Sequence, residues 1–302
     1  MRDKLRGIIP ALITPFTSKN EVNKYSLLET VNFIIERGVH GVLVIGGTGE
    51  FVSLSDTERK EVIDIVIDEV NGRLPVIVGS LSPGINDSIK LALYARNAGA
   101  DAVLQITPYY VRAVKQGLYE YYKTIAENVE IPIILYNIPY RTGVNLSPSL
   151  ISKLAENDNI VGVKQCNRDM SETFQLNELV SNKFSILCGE DDLTIPLLML
   201  HLCSGGILAS ANLVPRIWVQ VFEACEKGDV DEAKEIFFKL MPLIKALFAE
   251  TNPGPLKEAL EMRQIHGGPV RRPLLPVKEE TKRKLRAAME DLLARTEFTH
   301  AP

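Results

Sequence analysis

Eight short apolar runs punctuate the first two-thirds of the chain, at residues 8–14, 41–45, 75–79, 102–106, 132–136, 160–164, 184–188 and 206–209. Between them, apolar positions recur at helical spacing, so strand-like and helical segments alternate. Ser55-Asp56-Thr57-Glu58 reads as a capping box, the hydroxyl and the carboxylate each satisfying an amide that the helix start leaves unpaired. Ser147-Pro148 predicts another helix start, with proline where its missing N–H costs nothing. Gly38, Gly72 and Gly99 fall where helices should end. Strand–helix units in this rhythm imply parallel strands joined by right-handed crossovers. Eight of them in about 210 residues fit an α/β fold of the (β/α)₈ TIM-barrel type better than an open doubly wound sheet. A dinucleotide-binding Gly-x-Gly-x-x-Gly fingerprint is absent. From Pro215 onward only helical patterns appear, near residues 216–227, 229–250, 256–265 and 278–294. The expected organisation is a barrel over residues 1–214 that carries the active site, followed by a C-terminal helical region over 215–302.

Composition narrows the function classes. Hydrophobic residues make up 46% and charged residues 24% of the 302, ordinary for a globular protein. A net charge of -4 and a pI near 5.7 supply no polycation for nucleic acid or acidic membranes. No apolar run is long enough to span a bilayer, and Met1-Arg2-Asp3-Lys4 leads into the first strand without a leader's apolar core, so a cytoplasmic location is expected. Cys166, Cys188, Cys203 and Cys225 form no Cys-x-x-Cys pair and sit in apolar segments, which predicts reduced, mostly buried thiols. The four histidines are scattered without ligand spacing, so no metal site is expected.

The chemistry collects at the carboxyl ends of the strands, where such barrels build their sites. Lys164 ends the sixth run, and alternation places Ile160, Gly162 and Lys164 on one face. If that face is buried, the lost hydration disfavours the ammonium and leaves an amine able to form a Schiff base. Taken alone, the same lysine reads more readily as one snorkelling from a strand end. After the second run, Gly46-Gly47-Thr48-Gly49-Glu50 can present consecutive amides and a hydroxyl to an anion, or form a plain turn before the capped helix. Thr107-Pro108-Tyr109-Tyr110 follows the fourth run and offers two phenols, as proton relays or as contact residues. The fifth run ends at Tyr136, on the strand face of Ile134 and beside the strand of Lys164, about 4.8 Å away. A phenol there can move protons during imine formation. Arg141, just beyond, can hold a carboxylate in bidentate fashion.

Gly-x-Thr-Gly-Glu, Thr-Pro-Tyr-Tyr, Tyr-Asn-Ile-Pro and Gly-Val-Lys, in this order and spacing, resemble the dihydrodipicolinate synthase / N-acetylneuraminate lyase family of class I pyruvate aldolases. The likeness runs from Ile13-Thr14-Pro15-Phe16 to Arg272-Pro273-Leu274-Leu275-Pro276. It implies that Lys164 forms the imine with pyruvate or another 2-oxo acid, with no other cofactor, and that Tyr136 shuttles protons. Thr48 and the Gly49 amide would hold the pyruvate carboxylate, and Arg141 that of the second substrate. The backbone carbonyl of Ile207 would face the nucleophile. Tyr110 would reach the site of a neighbouring subunit in a homotetramer built from dimers.

Two features depart from the family pattern. Gly47 stands where the synthases carry threonine and the sialate lyases serine, a hydroxyl that links the two tyrosines. Phe51 and Pro83 replace small polar or amide groups among the positions (with Val52 and Asp56) that match the lysine-feedback site of the synthases. The resemblance therefore implies a pyruvate-dependent lyase or synthase acting on an aldehyde such as L-aspartate 4-semialdehyde, a reading that Arg141-Thr142-Gly143 and Asn252-Pro253-Gly254-Pro255-Leu256-Lys257 favour. A catabolic relative stays open: a 2-keto-3-deoxy sugar acid aldolase or dehydratase, an N-acetylneuraminate lyase-like enzyme or a hydroxyproline-pathway deaminase. Gly-Gly-Thr-Gly-Glu-Phe resembles the sugar-acid dehydratases. A non-catalytic barrel that only binds a keto acid would need neither Lys164 nor Tyr136.

Overall fold

The computed structural model describes residues 5–295. Residues 1–4, on which the leader reading rests, and 296–302, the end of the expected helical region, lie outside the described part. The strands are β1 (Gly7–Pro10), β2 (Val42–Val44), β3 (Val76–Ser80), β4 (Ala102–Ile106), β5 (Ile133–Asn137), β6 (Ile160–Gln165), β7 (Ser185–Cys188) and β8 (Gly205–Leu208). Each helix is numbered in chain order. The first six are α1 (Lys24–Ile35), α2 (Asp56–Val70), α3 (Ile85–Ala98), α4 (Lys115–Asn128), α5 (Pro139–Thr142) and α6 (Pro148–Leu154). Then come α7 (Met170–Leu179), α8 (Asp191–Met199), α9 (Pro215–Lys227), α10 (Val230–Leu247), α11 (Gly254–Met262) and α12 (Glu279–Arg295).

All strands are parallel and pair in the order β1-β8-β7-β6-β5-β4-β3-β2. The ring closes on short contacts: Ala11 bridges Leu43, and the Leu12 N–H donates to the Leu43 carbonyl at 2.8 Å. The first apolar run is therefore strand only over its first part, since Ala11 and Leu12 carry the chain from β8 across to β2. Alternation sorts the side chains into two layers. Ile9, Leu43, Ile77, Leu104, Ile134 and Ile207 fill the barrel, while Ile8, Val42, Val78, Val103, Leu135 and Leu208 pack outward against the helices. The expected helix signals are in place. Ser55 and Glu58 form the capping box of α2, Ser147 caps α6 with Pro148 at its first turn, and Gly99 ends α3 in the left-handed region.

One expectation fails. Ile160 and Lys164 do not share a face, because β5 and β6 shift register: Ile133 pairs with Ile160 but Ile134 with Gly162. The extra residue, Val161, turns into the barrel and Ile160 joins the outer layer. Such a bulge inverts alternation on one side of itself. Beyond it Lys164 pairs directly with Tyr136, so the alignment of these two is kept.

α9 lies against β1 and α8; α10 packs on α8 and α9, and α12 on α10 and α11. The chain between α10 and α11 comes down to the rim at the carboxyl ends of the strands, where Phe248 and Asn252 line the central cavity.

Candidate active site

The cavity at that rim has two connected parts. The inner one, about 40 Å³, has Lys164, Tyr136, Thr48, Gly47, Arg141 and Ile207 among its walls. By the roughly 10–15 Å³ that one water requires, it holds about three water-sized groups, the scale of a small acid. The outer one, about 700 Å³, shares Tyr140, Arg141, Gly189, Asp191, Phe248 and Asn252 with it and opens past Arg168, Glu190 and Asp192.

Lys164 is only 6% exposed. Its Nζ lies 4.7 Å from the centroid of the Tyr136 ring. Space for the lysine depends on Gly189 at the end of β7. A Cβ there would come within 2.8 Å of Lys164 Cε and 2.1 Å of Cys166 Sγ. Burial pushes the Tyr136 phenol well above its ordinary pKa, and the nearby Cys166 and Tyr140 add to this while Arg141 opposes it. Tyr136 is therefore a neutral O–H at physiological pH, able to donate. Asp191, the first residue of α8, is also buried and accepts from the backbone N–H and hydroxyl of Ser210, the former at 2.8 Å. Burial raises its carboxyl pKa, while the bonds from Ser210 and the charge of Lys164 favour the anion.

The turn over residues 46–50 sits between two strained residues. Ile45 and Glu50 have φ of 48° and 55°. Non-glycine residues in the left-handed region cost on the order of 1–3 kcal/mol each and persist only where the surroundings over-determine them. Here the Thr14 hydroxyl donates to the Gly49 carbonyl at 2.8 Å, and Asn252 Nδ2 donates to Thr48 Oγ1 at 3.0 Å. The Gly49 N–H, expected to face the substrate, turns back to the Gly46 carbonyl at 3.1 Å. Gly47 is not required by packing. A Cβ there would meet only Arg141 Nη1, at an ordinary 3.7 Å.

At the mouth, Arg168 bridges Glu190 at 2.7 Å and Asp192 at 2.6 Å, and the Tyr140 phenol donates to Glu190 at 3.0 Å. These bonds tie together the loops after β5, β6 and β7. Arg141, in contrast, makes no ion pair among the described residues, so its guanidinium remains available between the two parts of the cavity. Tyr110 is not brought to this site. It is 97% exposed, while Tyr109 packs partly against the barrel interior. All four cysteines are free and buried, and no cluster of three His, Cys, Asp or Glu among the described residues is arranged for a metal ion. Nor is any described helix long and apolar enough to cross a membrane.

Sequence reasoning missed Asp191, Tyr140 and Glu190, although Gly189-Glu190-Asp191-Asp192 follows the seventh strand, where the strand-end rule applies. It also passed over Cys166, two residues beyond the lysine and on the same face, as a merely buried thiol. Asn252 stood in a recognised motif, but nothing local connected it to Thr48.

Comparison with known proteins gives a consistent answer. The sequence profile of the dihydrodipicolinate synthetase family matches residues 4–292. The 4-hydroxy-tetrahydrodipicolinate synthase of Methanopyrus kandleri is 44% identical over 291 residues, 96% of this chain and 97% of that protein. That of Syntrophus aciditrophicus is 40% identical over 286 residues, 95% of this chain and 98% of its own. A crystal structure of the chloride-inhibited dihydrodipicolinate synthase from Acinetobacter baumannii, in complex with pyruvate, superposes with a TM-score of 0.92 at 36% identity. It covers 95% of this chain and 99% of that one.

Proposed function

This chain belongs to the dihydrodipicolinate synthetase family, and from that premise we propose that it condenses pyruvate with L-aspartate 4-semialdehyde through an imine on Lys164. The observation that carries the proposal is the pairing of Lys164 with Tyr136 in a small chamber that Arg141, without an ion pair among the described residues, also lines. The Lys164 amine adds to C2 of pyruvate. As the C–O bond of the adduct breaks, Tyr136 gives its proton to the departing oxygen, which leaves as water. The phenolate left on Tyr136 then takes up a C3 proton, which turns the imine into an enamine. Its C3 then forms the new bond to the aldehyde carbon, whose oxygen takes a proton from Tyr136. The substrate's own amine adds to C2, the bond from C2 to the Lys164 nitrogen breaks, and the proton released returns to Tyr136. Thr48 holds the pyruvate carboxylate, and the Ile207 carbonyl faces the reacting nitrogen. Gly49 contributes mainly by shaping the turn, its N–H being turned to Gly46. Arg141 binds the second carboxylate in the outer part. No metal or dissociable cofactor enters this scheme.

We further propose that the enzyme is cytoplasmic and a homotetramer built from dimers. Tyr110, fully exposed on one subunit, would then complete the site of the next. With glycine at position 47 no side-chain hydroxyl there links Tyr110 to Tyr136, so a water takes that place in the relay.

Gly47 favours the second reading, a sugar-acid aldolase or dehydratase, and one assay separates the two. Pyruvate is incubated with aspartate semialdehyde, N-acetylmannosamine and small aldehydes, and 2-keto-3-deoxy sugar acids are offered for cleavage and dehydration. Condensation with aspartate semialdehyde should be the fastest reaction of the panel by about tenfold or more, the discrimination one well-placed ionic contact provides. Faster turnover of a sugar acid would overturn the synthase reading. Millimolar L-lysine should leave the condensation rate unchanged, since Phe51 and Pro83 remove the polar groups that would hold it. Clear inhibition would contradict that reading of the two positions.

A further inference from the structure

The region after the barrel reaches back into the site. Asn252, between α10 and α11, donates to Thr48 at 3.0 Å. One turn into α11, the Lys257 ammonium lies 2.6 Å from Glu50 Oε1, with the two side chains 2% and 1% exposed. Lys257 also donates to the Pro269 carbonyl at 2.9 Å and sits 4.3 Å from the centroid of the Phe16 ring. The other Glu50 oxygen accepts the Arg271 N–H at 2.8 Å. Glu50, the last residue of the turn that carries Thr48, is thus held from α11 and from the segment after it.

Stability alone does not account for this pair. Removing two charges from water is costly, and a buried ion pair can often be exchanged for apolar groups without loss. Burial lowers the Lys257 ammonium to about 8, although Glu50 pulls the other way. What an apolar pair would lack is a charge that fixes where the carboxylate sits. Glu50 has φ 55° and ψ 38°, a conformation that persists where its surroundings hold it, here the Lys257 charge at Oε1 and the Arg271 N–H at Oε2. Relaxation of Glu50 would turn the preceding residues, Thr48 and Gly49, relative to Lys164.

We infer that Lys257 and Glu50 are positioning residues for the 2-oxo acid, their buried pair holding the turn so that Thr48 faces the Lys164 chamber. Part of the affinity for that substrate is then set by the C-terminal helical region. The inference rests on the imine reading above.

The test uses the full chain as wild type, as Lys257→Met, as Glu50→Gln and as the double variant. Each is incubated with graded pyruvate and borohydride, and the reduced adduct on the Lys164 peptide is measured by mass, beside a thermal melt. The concentration of pyruvate for half-maximal labelling should rise about tenfold or more in both single variants, with the maximal labelled fraction retained, because displacement of a binding group by an ångström is worth that much. The double variant should resemble the singles rather than multiply them, since both remove one interaction. Should a lone buried charge prevent a single variant from folding, the double variant, which leaves none, carries the same expectation. Variants with lower melting temperature or labelled fraction but unchanged half-saturation would overturn the positioning role alone. A wild-type protein that pyruvate never labels would overturn the imine reading, and this inference with it.

Discussion

Replacement of Lys164 by alanine is expected to abolish labelling by pyruvate and borohydride and to lower turnover on the order of 10³-fold or more, with the fold retained. The wild-type chain should gain the mass of one reduced pyruvyl group on the peptide that contains Lys164. Two features support this position as the nucleophile. The amine is buried at the end of β6, and Gly189 leaves space for it that any side chain would fill. The fold should survive because, among the described residues, the Lys164 side chain makes no hydrogen bond, while its backbone pairing in the sheet is kept by alanine. Retained labelling in Lys164→Ala, or labelling at another lysine, would contradict the mechanism. A melting temperature within a few degrees of wild type shows that the loss is chemical.

Tyr136→Phe should lower kcat about 10²- to 10³-fold and slow imine formation by a similar factor, while changing the final extent of labelling little. Phenylalanine keeps the ring against Lys164 and removes only the hydroxyl. That hydroxyl sits in a buried setting that keeps it protonated, so it is a donor at neutral pH rather than a phenolate. Its loss would remove the group proposed to protonate the departing oxygen and leave the equilibrium of imine formation to the carboxylate contacts proposed at Thr48. Rapid-quench labelling beside steady-state assays measures both rates. A kcat within threefold of wild type would assign the proton transfer elsewhere, with Tyr140 as the nearest other phenol at the cavity.

Much of the architecture is local and was therefore legible. A strand–helix alternation repeated along the chain needs only nearest neighbours to be read, and capping residues act within a few positions of themselves. The strand-end rule then gathered Lys164, Tyr136, Thr48 and Arg141 at one rim, and the fold brings all four to one cavity. The same rule points to the acidic run 190–192 after β7, but packing decides which of its carboxylates is buried, Asp191 being 3% exposed. The face of Ile160 was misread for a different reason. A bulge depends on the neighbouring strand, and alternation counted along one strand contains no information about it.

The sequence by itself determined the barrel, the identity of its imine-forming lysine as an expectation, and the family that the comparisons bear out. Those are consequences of periodicity and of short motifs, each complete within a few dozen residues. Only the tertiary structure decided what closes the site. Asn252 meets Thr48 across 204 residues, and the Arg271 N–H meets Glu50 across 221. Such contacts form because α10 packs onto α8 and α9, and α12 onto α10 and α11, which sets the intervening chain down on the rim. No periodicity encodes that placement. It follows from burying apolar helix faces together, and the polar contacts at the rim take the positions which that packing allows.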